Sequence, residues 1–145
     1  MFVFPGALAN RGEAIANGWA GSLTMGAGQF CTNPGVVVMQ AGEDADAFAK
    51  TAGEALSQVG PQTMLTDGIA EAYRAGQKRV AEGTGVQELL GTTCDLRDAT
   101  PYFYSTTAKH WLENETLAEE VFGPLGIIVM AETVAEMRAV AMALQ

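Results

Sequence analysis

The order strand, helix, strand, helix, helix, strand, strand, helix predicts an α/β fold, with helices layered on a sheet that contains parallel pairing. Two uncharged apolar runs, Val36–Met39 and Leu125–Met130, have the length and character of strands buried on both faces. Two segments between them repeat apolar residues at helical spacing with acids at their starts, and the second also has bases near its end. The composition is globular: 145 residues, 48% hydrophobic and 17% charged, with 17 Gly and 5 Pro, enough chain for one domain rather than two.

Phe2-Val3-Phe4 begins as a strand, and Pro5-Gly6 stops it. From about Ala7 to Met25, the spacing of Leu8, Ile15, Ala16, Trp19 and Leu23 predicts a helix. Gly12, Gly18 and Gly21 weaken it by up to ~1 kcal/mol each, so close packing is expected at those positions. Gly26 to Gly35 is a Gly/Asn/Pro-rich loop carrying Cys31, with Pro34-Gly35 expected at the centre of a type II turn. It leads into the Val36–Met39 strand.

Glu43, Asp44 and Asp46 open a helix that Ala47, Phe48, Ala52, Ala55, Leu56 and Val59 continue to Gly60. Another runs from about Thr66 to Ala81, with Asp67 at its start and Lys78 and Arg79 in its last turn. Thr100 to Thr107, with Tyr102, Phe103 and Tyr104, favours a strand, and 108–114 a short turn or helix. After Leu125–Met130, Thr133 and Glu136 match a capping box for a helix reaching Gln145 without a glycine stop. The abrupt first strand and the unstopped last helix lead us to expect a piece of a longer chain.

Seventeen acidic residues against eight basic ones give a net charge of −9, which repels phosphate backbones and anionic headgroups. Neither nucleic acid nor a membrane is expected as a partner. Two cysteines without paired-ligand spacing and a single histidine predict neither a disulfide framework nor a metal site, and a cytoplasmic setting fits them. The N-terminus lacks the basic and apolar regions of a secretory signal, and polar residues and glycines interrupt the uncharged stretch between Glu13 and Glu43.

Cys31 is the leading candidate for chemistry, since a thiol on a glycine-rich loop can meet a substrate while nearby amides stabilise developing negative charge. A buried structural thiol is the alternative, which the flexible backbone at Gly26, Gly28 and Gly35 weighs against. Gly26-x-Gly28 is not a dinucleotide fingerprint, because position 31 is Cys and the segment follows a helix. Glu119-Glu120 beside Phe122 and Gly123-Pro124 could hold a polar ligand against a ring, or simply end a solvated helix. Cys94 is assigned no role, and His110 reads as structural or exposed.

Gly28-Gln29-Phe30-Cys31-Thr32-Asn33-Pro34-Gly35 and, downstream, Glu119-Glu120-Val121-Phe122-Gly123-Pro124 resemble the two signatures of the aldehyde dehydrogenase superfamily, in matching order and separation. Gly21-Ser22-Leu23-Thr24 and the opening Phe-Val-Phe-Pro-Gly-Ala-Leu look most like the branch containing α-ketoglutarate semialdehyde (2,5-dioxovalerate) dehydrogenases. Thr24, Gly26, Val36 and Ala131 depart from the fuller family pattern.

The resemblance implies an incomplete three-layer α/β/α catalytic domain over residues 1–145, without the nucleotide-binding domain and the C-terminal part. It implies Cys31 as nucleophile, with Phe30 and Thr32 touching a small-molecule aldehyde. Glu120 would bond a ribose of NAD or NADP, and Phe122 would lie beside its nicotinamide. The family's general-base Glu and oxyanion Asn have no counterpart found in this sequence. The expectation is therefore an internal fragment, inactive alone, of an enzyme that is a homo-oligomer at full length. A non-catalytic α/β interaction module with an incidental cysteine is the competing reading.

Overall fold

The computed structural model describes Met1 to Leu144. Its main sheet has five strands in the order β1-β2-β7-β6-β4: β1 (Phe2–Val3), β2 (Val36–Gln40), β7 (Leu125–Ala131), β6 (Tyr102–Thr107) and β4 (Gln87–Leu90). All pairings are parallel except β4 on β6, which is antiparallel and bulged between Glu88 and Leu90. The helices are α1 (Pro5–Thr24), α2 (Glu43–Ser57), α3 (Asp67–Ala81), α4 (Ala108–Glu113) and α5 (Val134–Ala143). A separate antiparallel pair joins β3 (Gln62–Thr63) to β5 (Asp98–Ala99).

Strand alternation sorts the side chains into two cores. Val37 and Met39 of β2, Ile128 of β7 and Phe103 of β6 pack with Leu8, Trp19 and Leu23 of α1 and Phe48 and Leu56 of α2. On the opposite face Val38, Ile127, Val129 and Tyr104 pack with Tyr73 and Val80 of α3, Trp111 of α4 and Met137 and Val140 of α5. Helices therefore cover both faces, and the expected three-layer α/β/α arrangement is present.

Local signals explain the boundaries. Pro5 takes the first helical position of α1, where its missing N–H costs nothing, so it starts this helix as well as ending β1. Acids at the first turn of α2 and bases in the last turn of α3 complement the helix dipole. Thr66, Thr107 and Thr133 cap α3, α4 and α5 through their hydroxyls. The Glu136 carboxylate accepts from the Glu132 N–H at 2.9 Å, one residue before the cap, so the box at Thr133 is closed with a shifted second arm. α5 ends at Ala143, and Gln145, which the sequence reading included in this helix, lies outside the described residues.

Two expectations are corrected. Gly12, Gly18 and Gly21 pack against nothing: a Cβ added at any of them meets no atom within 4 Å. The close approach is on the other partner, at Gly126 of β7, where a Cβ would stand 2.5 Å from the Trp19 ring. α1 instead bends near Arg11, whose φ of −144° and ψ of 17° are not helical. Nor is Pro34-Gly35 a type II turn, because Gly35 lacks the positive φ that such a turn needs at its third residue. The turn lies three residues earlier, around Cys31-Thr32, where the Asn33 N–H donates to the Phe30 carbonyl at 3.0 Å.

Candidate active site

The Cys31 loop leaves α1 through a short 3₁₀ turn, Met25–Gly28, in which Gly26, Ala27 and Gly28 have φ of +57°, +57° and +67°. Three consecutive left-handed residues reverse the chain tightly. Glycine bears this freely, but a buried alanine costs about 1–2 kcal/mol, so its surroundings must hold it there. The Asn33 amide donates to the carbonyls of both Leu23 and Gly28 at 3.0 Å, tying the far side of the loop to its root. Trp19 Nε1 donates to the Pro34 carbonyl at 2.7 Å, anchoring the exit to α1.

These bonds leave Phe30, Cys31 and Thr32 at the exposed tip of the turn. The residue that carries the thiol is exposed, and among the described residues its N–H is not taken up by a backbone carbonyl.

The second signature meets the first through glycine. A Cβ at Gly28 would lie 2.3 Å from the Gly123 carbonyl carbon and 2.5 Å from the Pro124 nitrogen, so the two backbones touch only because residue 28 has no side chain. One face of α3 presents the Glu119–Pro124 segment. Gly76 leaves room for Val121, Tyr73 packs under Gly123, and Arg79 Nε reaches Glu119 Oε2 at 3.3 Å without hydrogen-bond geometry. The Tyr73 hydroxyl donates to the carbonyls of Thr100 at 2.8 Å and Pro124 at 3.3 Å. Burial, with Tyr102 nearby, pushes this phenol far above its ordinary range, which keeps it a neutral donor.

A cleft of about 310 Å³ lies along this junction, lined by Gly28, Asn33, Gly35, Glu120, Phe122 and Leu125 among others. Glu120 and Phe122 thus share one cavity with the root of the Cys31 loop. Phe30, Cys31 and Thr32 do not line it; they stand at the turn beside it. Glu119 is taken by Arg79, whereas Glu120 has no ion pair among the described residues.

The remaining thiol and histidine are accounted for structurally. Cys94 Sγ donates to the Asp98 carbonyl at 2.8 Å, and His110 pairs with the Thr107 hydroxyl at 3.1 Å and fills the space over Gly85. Among the described residues no three His, Cys, Asp or Glu side chains are grouped to hold a metal ion, and no helix is long and apolar enough to cross a membrane. Tyr73, Gly76 and Gln62, which shape the site, were missed from sequence. Gly76 in mid-helix three residues after a tyrosine was the available signal.

No family model matches the chain. The α-ketoglutaric semialdehyde dehydrogenase 2 of Azospirillum brasilense is 43% identical to it over 150 aligned positions, covering 100% of this chain and 28% of that relative. The α-ketoglutaric semialdehyde dehydrogenase of Acinetobacter baylyi is 29% identical, covering 91% of this chain and 26% of that protein. The chain is similar to aldehyde dehydrogenases. Solved structures agree in fold: an NAD-dependent benzaldehyde dehydrogenase from Corynebacterium glutamicum superposes with a TM-score of 0.81 at 21% identity, covering 100% of this chain and 32% of that one. The NADP-dependent glyceraldehyde-3-phosphate dehydrogenase of Bacillus halodurans gives 0.75 at 18% identity, covering 89% and 28%. The chain therefore spans under a third of the length of the aldehyde dehydrogenases it matches.

Proposed function

We propose that this chain carries the nucleophile-bearing part of an NAD(P)-dependent aldehyde dehydrogenase of the α-ketoglutarate semialdehyde branch, with Cys31 as the catalytic nucleophile. The observation that carries this reading is the contact of the two signatures at Gly28 and Gly123, which puts the exposed thiol beside a cleft containing Glu120 and Phe122.

In this reading the Cys31 thiolate attacks the aldehyde carbon, and a carbon–sulfur bond forms as the carbonyl π pair moves to oxygen. The Cys31 N–H donates to that oxygen; removing one donor of this kind costs other enzymes about 3 kcal/mol. Phe30 and Thr32, flanking the thiol at the turn, contact the rest of the aldehyde. The cleft of about 310 Å³ lies at the small end of the range for ligand sites, about 300–1,000 Å³, and in it Glu120 would hold ribose hydroxyls and Phe122 would lie against a flat ring. The adduct's C–H bond then breaks as the oxygen's electron pair re-forms the carbonyl, leaving a Cys31 thioester, and the departing hydride would go to NAD(P)⁺, which supplies the acceptor when bound. Water then cleaves the Cys31 thioester to release the acid.

The base that activates this water is assigned to parts of the longer enzyme, and the isolated chain is proposed to be silent in turnover. Full-length enzyme is proposed to be cytoplasmic and homo-oligomeric. The test is iodoacetamide labelling of the native chain from about pH 5 to about pH 9, with Cys31 and Cys94 resolved by mass spectrometry. Cys31 labelling faster than Cys94, with a midpoint well below ~8.5, supports the nucleophile; equal or slow labelling counts against an assembled site. Robust NAD(P)-dependent aldehyde oxidation by the isolated chain overturns the proposal that it is silent.

A further inference from the structure

The left-handed turn that delivers Cys31 is held from outside by a segment that neither signature includes. Gln62 of β3 accepts the Ala27 N–H on its side-chain oxygen at 2.6 Å. In the opposite direction, Gln29 accepts the Leu65 N–H on its Oε1 at 2.8 Å, while its Nε2 donates to the Gly26 carbonyl at 3.0 Å. Each segment thus lends one glutamine side chain to the other's backbone, and the two bonds fall on either side of Gly28. Ala27 is the one non-glycine residue among the three left-handed positions and is 2% exposed, so its N–H has no water to fall back on.

The holding segment is itself fixed. The Met64 N–H donates to the Arg97 carbonyl at 2.8 Å, the Thr63 hydroxyl donates to Asp98 Oδ1 at 2.7 Å, and the Met64 side chain shares the buried cluster of Ala27 and Tyr73. Rigidity therefore passes from the β3–β5 pair through two amide side chains to the residues directly before the thiol. A loop restrained only by its own glycines would let Cys31 sample many orientations, and a nucleophile that must meet a carbonyl at a set angle gains from losing that freedom.

We propose that Gln62 and Gln29 form a reciprocal clasp that acts as the positioning device for Cys31, with Gln62 the decisive partner because it holds the strained Ala27. This rests on the nucleophile reading above. The test compares the wild-type chain with Gln62→Met, which keeps the length but removes the acceptor, and Gln62→Glu, which restores an acceptor. Amide hydrogen exchange at Ala27 reads the clasp. The pH profile of Cys31 alkylation, normalised to a small free thiol in the same solution, reads its consequence.

Gln62→Met is expected to speed Ala27 exchange at least about fivefold and to slow Cys31 labelling at neutral pH by a similar factor, with Gln62→Glu returning both towards wild type. Unchanged Ala27 exchange would show that no clasp exists. Faster exchange with an unchanged Cys31 profile would make the clasp purely structural; either result overturns the proposal. Failure of the nucleophile reading is seen separately, as wild-type Cys31 tracking the free thiol at every pH. If Gln62→Met does not fold, Gln29→Met, read at the Leu65 amide and by the same labelling, takes its place.

Discussion

Substitution of Gly28 by alanine tests the central geometric claim, that the thiol loop and the Glu119–Pro124 segment meet through a missing side chain. The new Cβ would stand 2.3 Å from the Gly123 carbonyl carbon, 2.5 Å from its oxygen and 2.5 Å from the Pro124 nitrogen. All three atoms are backbone, so no side chain can swing away, and Tyr73 packs beneath Gly123 from the far side. Two costs add. A left-handed φ of +67° costs an L-residue about 1–2 kcal/mol, and overpacking against rigid neighbours costs about 1–3 kcal/mol more. The expected destabilisation is about 2–5 kcal/mol, or roughly 5–15 °C in melting temperature for a chain of this size. Gly26→Ala is the matched control, since it shares the left-handed strain at φ +57° but its Cβ meets only the exposed Phe30 ring, which can move. It should cost about 1–2 kcal/mol. Thermal and urea unfolding of the wild type and both variants check this, with Cys31 labelling followed in parallel. Gly28→Ala within about 0.5 kcal/mol of the wild type, or no worse than Gly26→Ala, would refute the contact between the two signatures.

Gly18→Ala should stabilise the chain by about 0.5–1 kcal/mol, because the position is exposed in α1 and open; a lowered urea midpoint would contradict this. Trp19→Phe should cost about 2–4 kcal/mol, measured by the same unfolding, because it empties space over Gly126 and leaves the Pro34 carbonyl without its 2.7 Å donor. Stability should fall as pH rises above about 10: unfolded phenols ionise there, while burial keeps Tyr73 protonated to much higher pH and holds Tyr104 up to about 12. Below the unfolded value these two groups leave stability flat, and in Tyr73→Phe the alkaline decline, followed by urea unfolding at stepped pH, should be shallower.

The sequence by itself determined the order of elements, and hence the α/β class, because the signals involved are local. Charge-free runs such as Val36–Met39, apolar residues at helical spacing, and threonine caps such as Thr133 each act within a few residues of themselves. The candidate residues were legible for the same reason: Cys31, Glu120 and Phe122 sit in contiguous signatures. Short pairings were not legible. β3 and β5 have two residues each, and Gln87–Leu90 is a bulged edge, so their existence depends on the partner the chain brings to them.

Only the tertiary structure decided which glycines matter. Gly12 and Gly18 look as functional on paper as Gly28 and Gly126, yet the first two face open space and the last two touch backbone or the Trp19 ring. The turn at Cys31-Thr32 displaced the expected one at Pro34-Gly35 because Asn33 and Trp19 fix the loop through long-range bonds that no local propensity encodes. The same holds for Tyr73, Gly76 and Gln62, ordinary residues in their own segments. What each does is set by a neighbour 27 to 51 positions away, and contacts at that separation depend on how the layers close rather than on what the surrounding residues prefer.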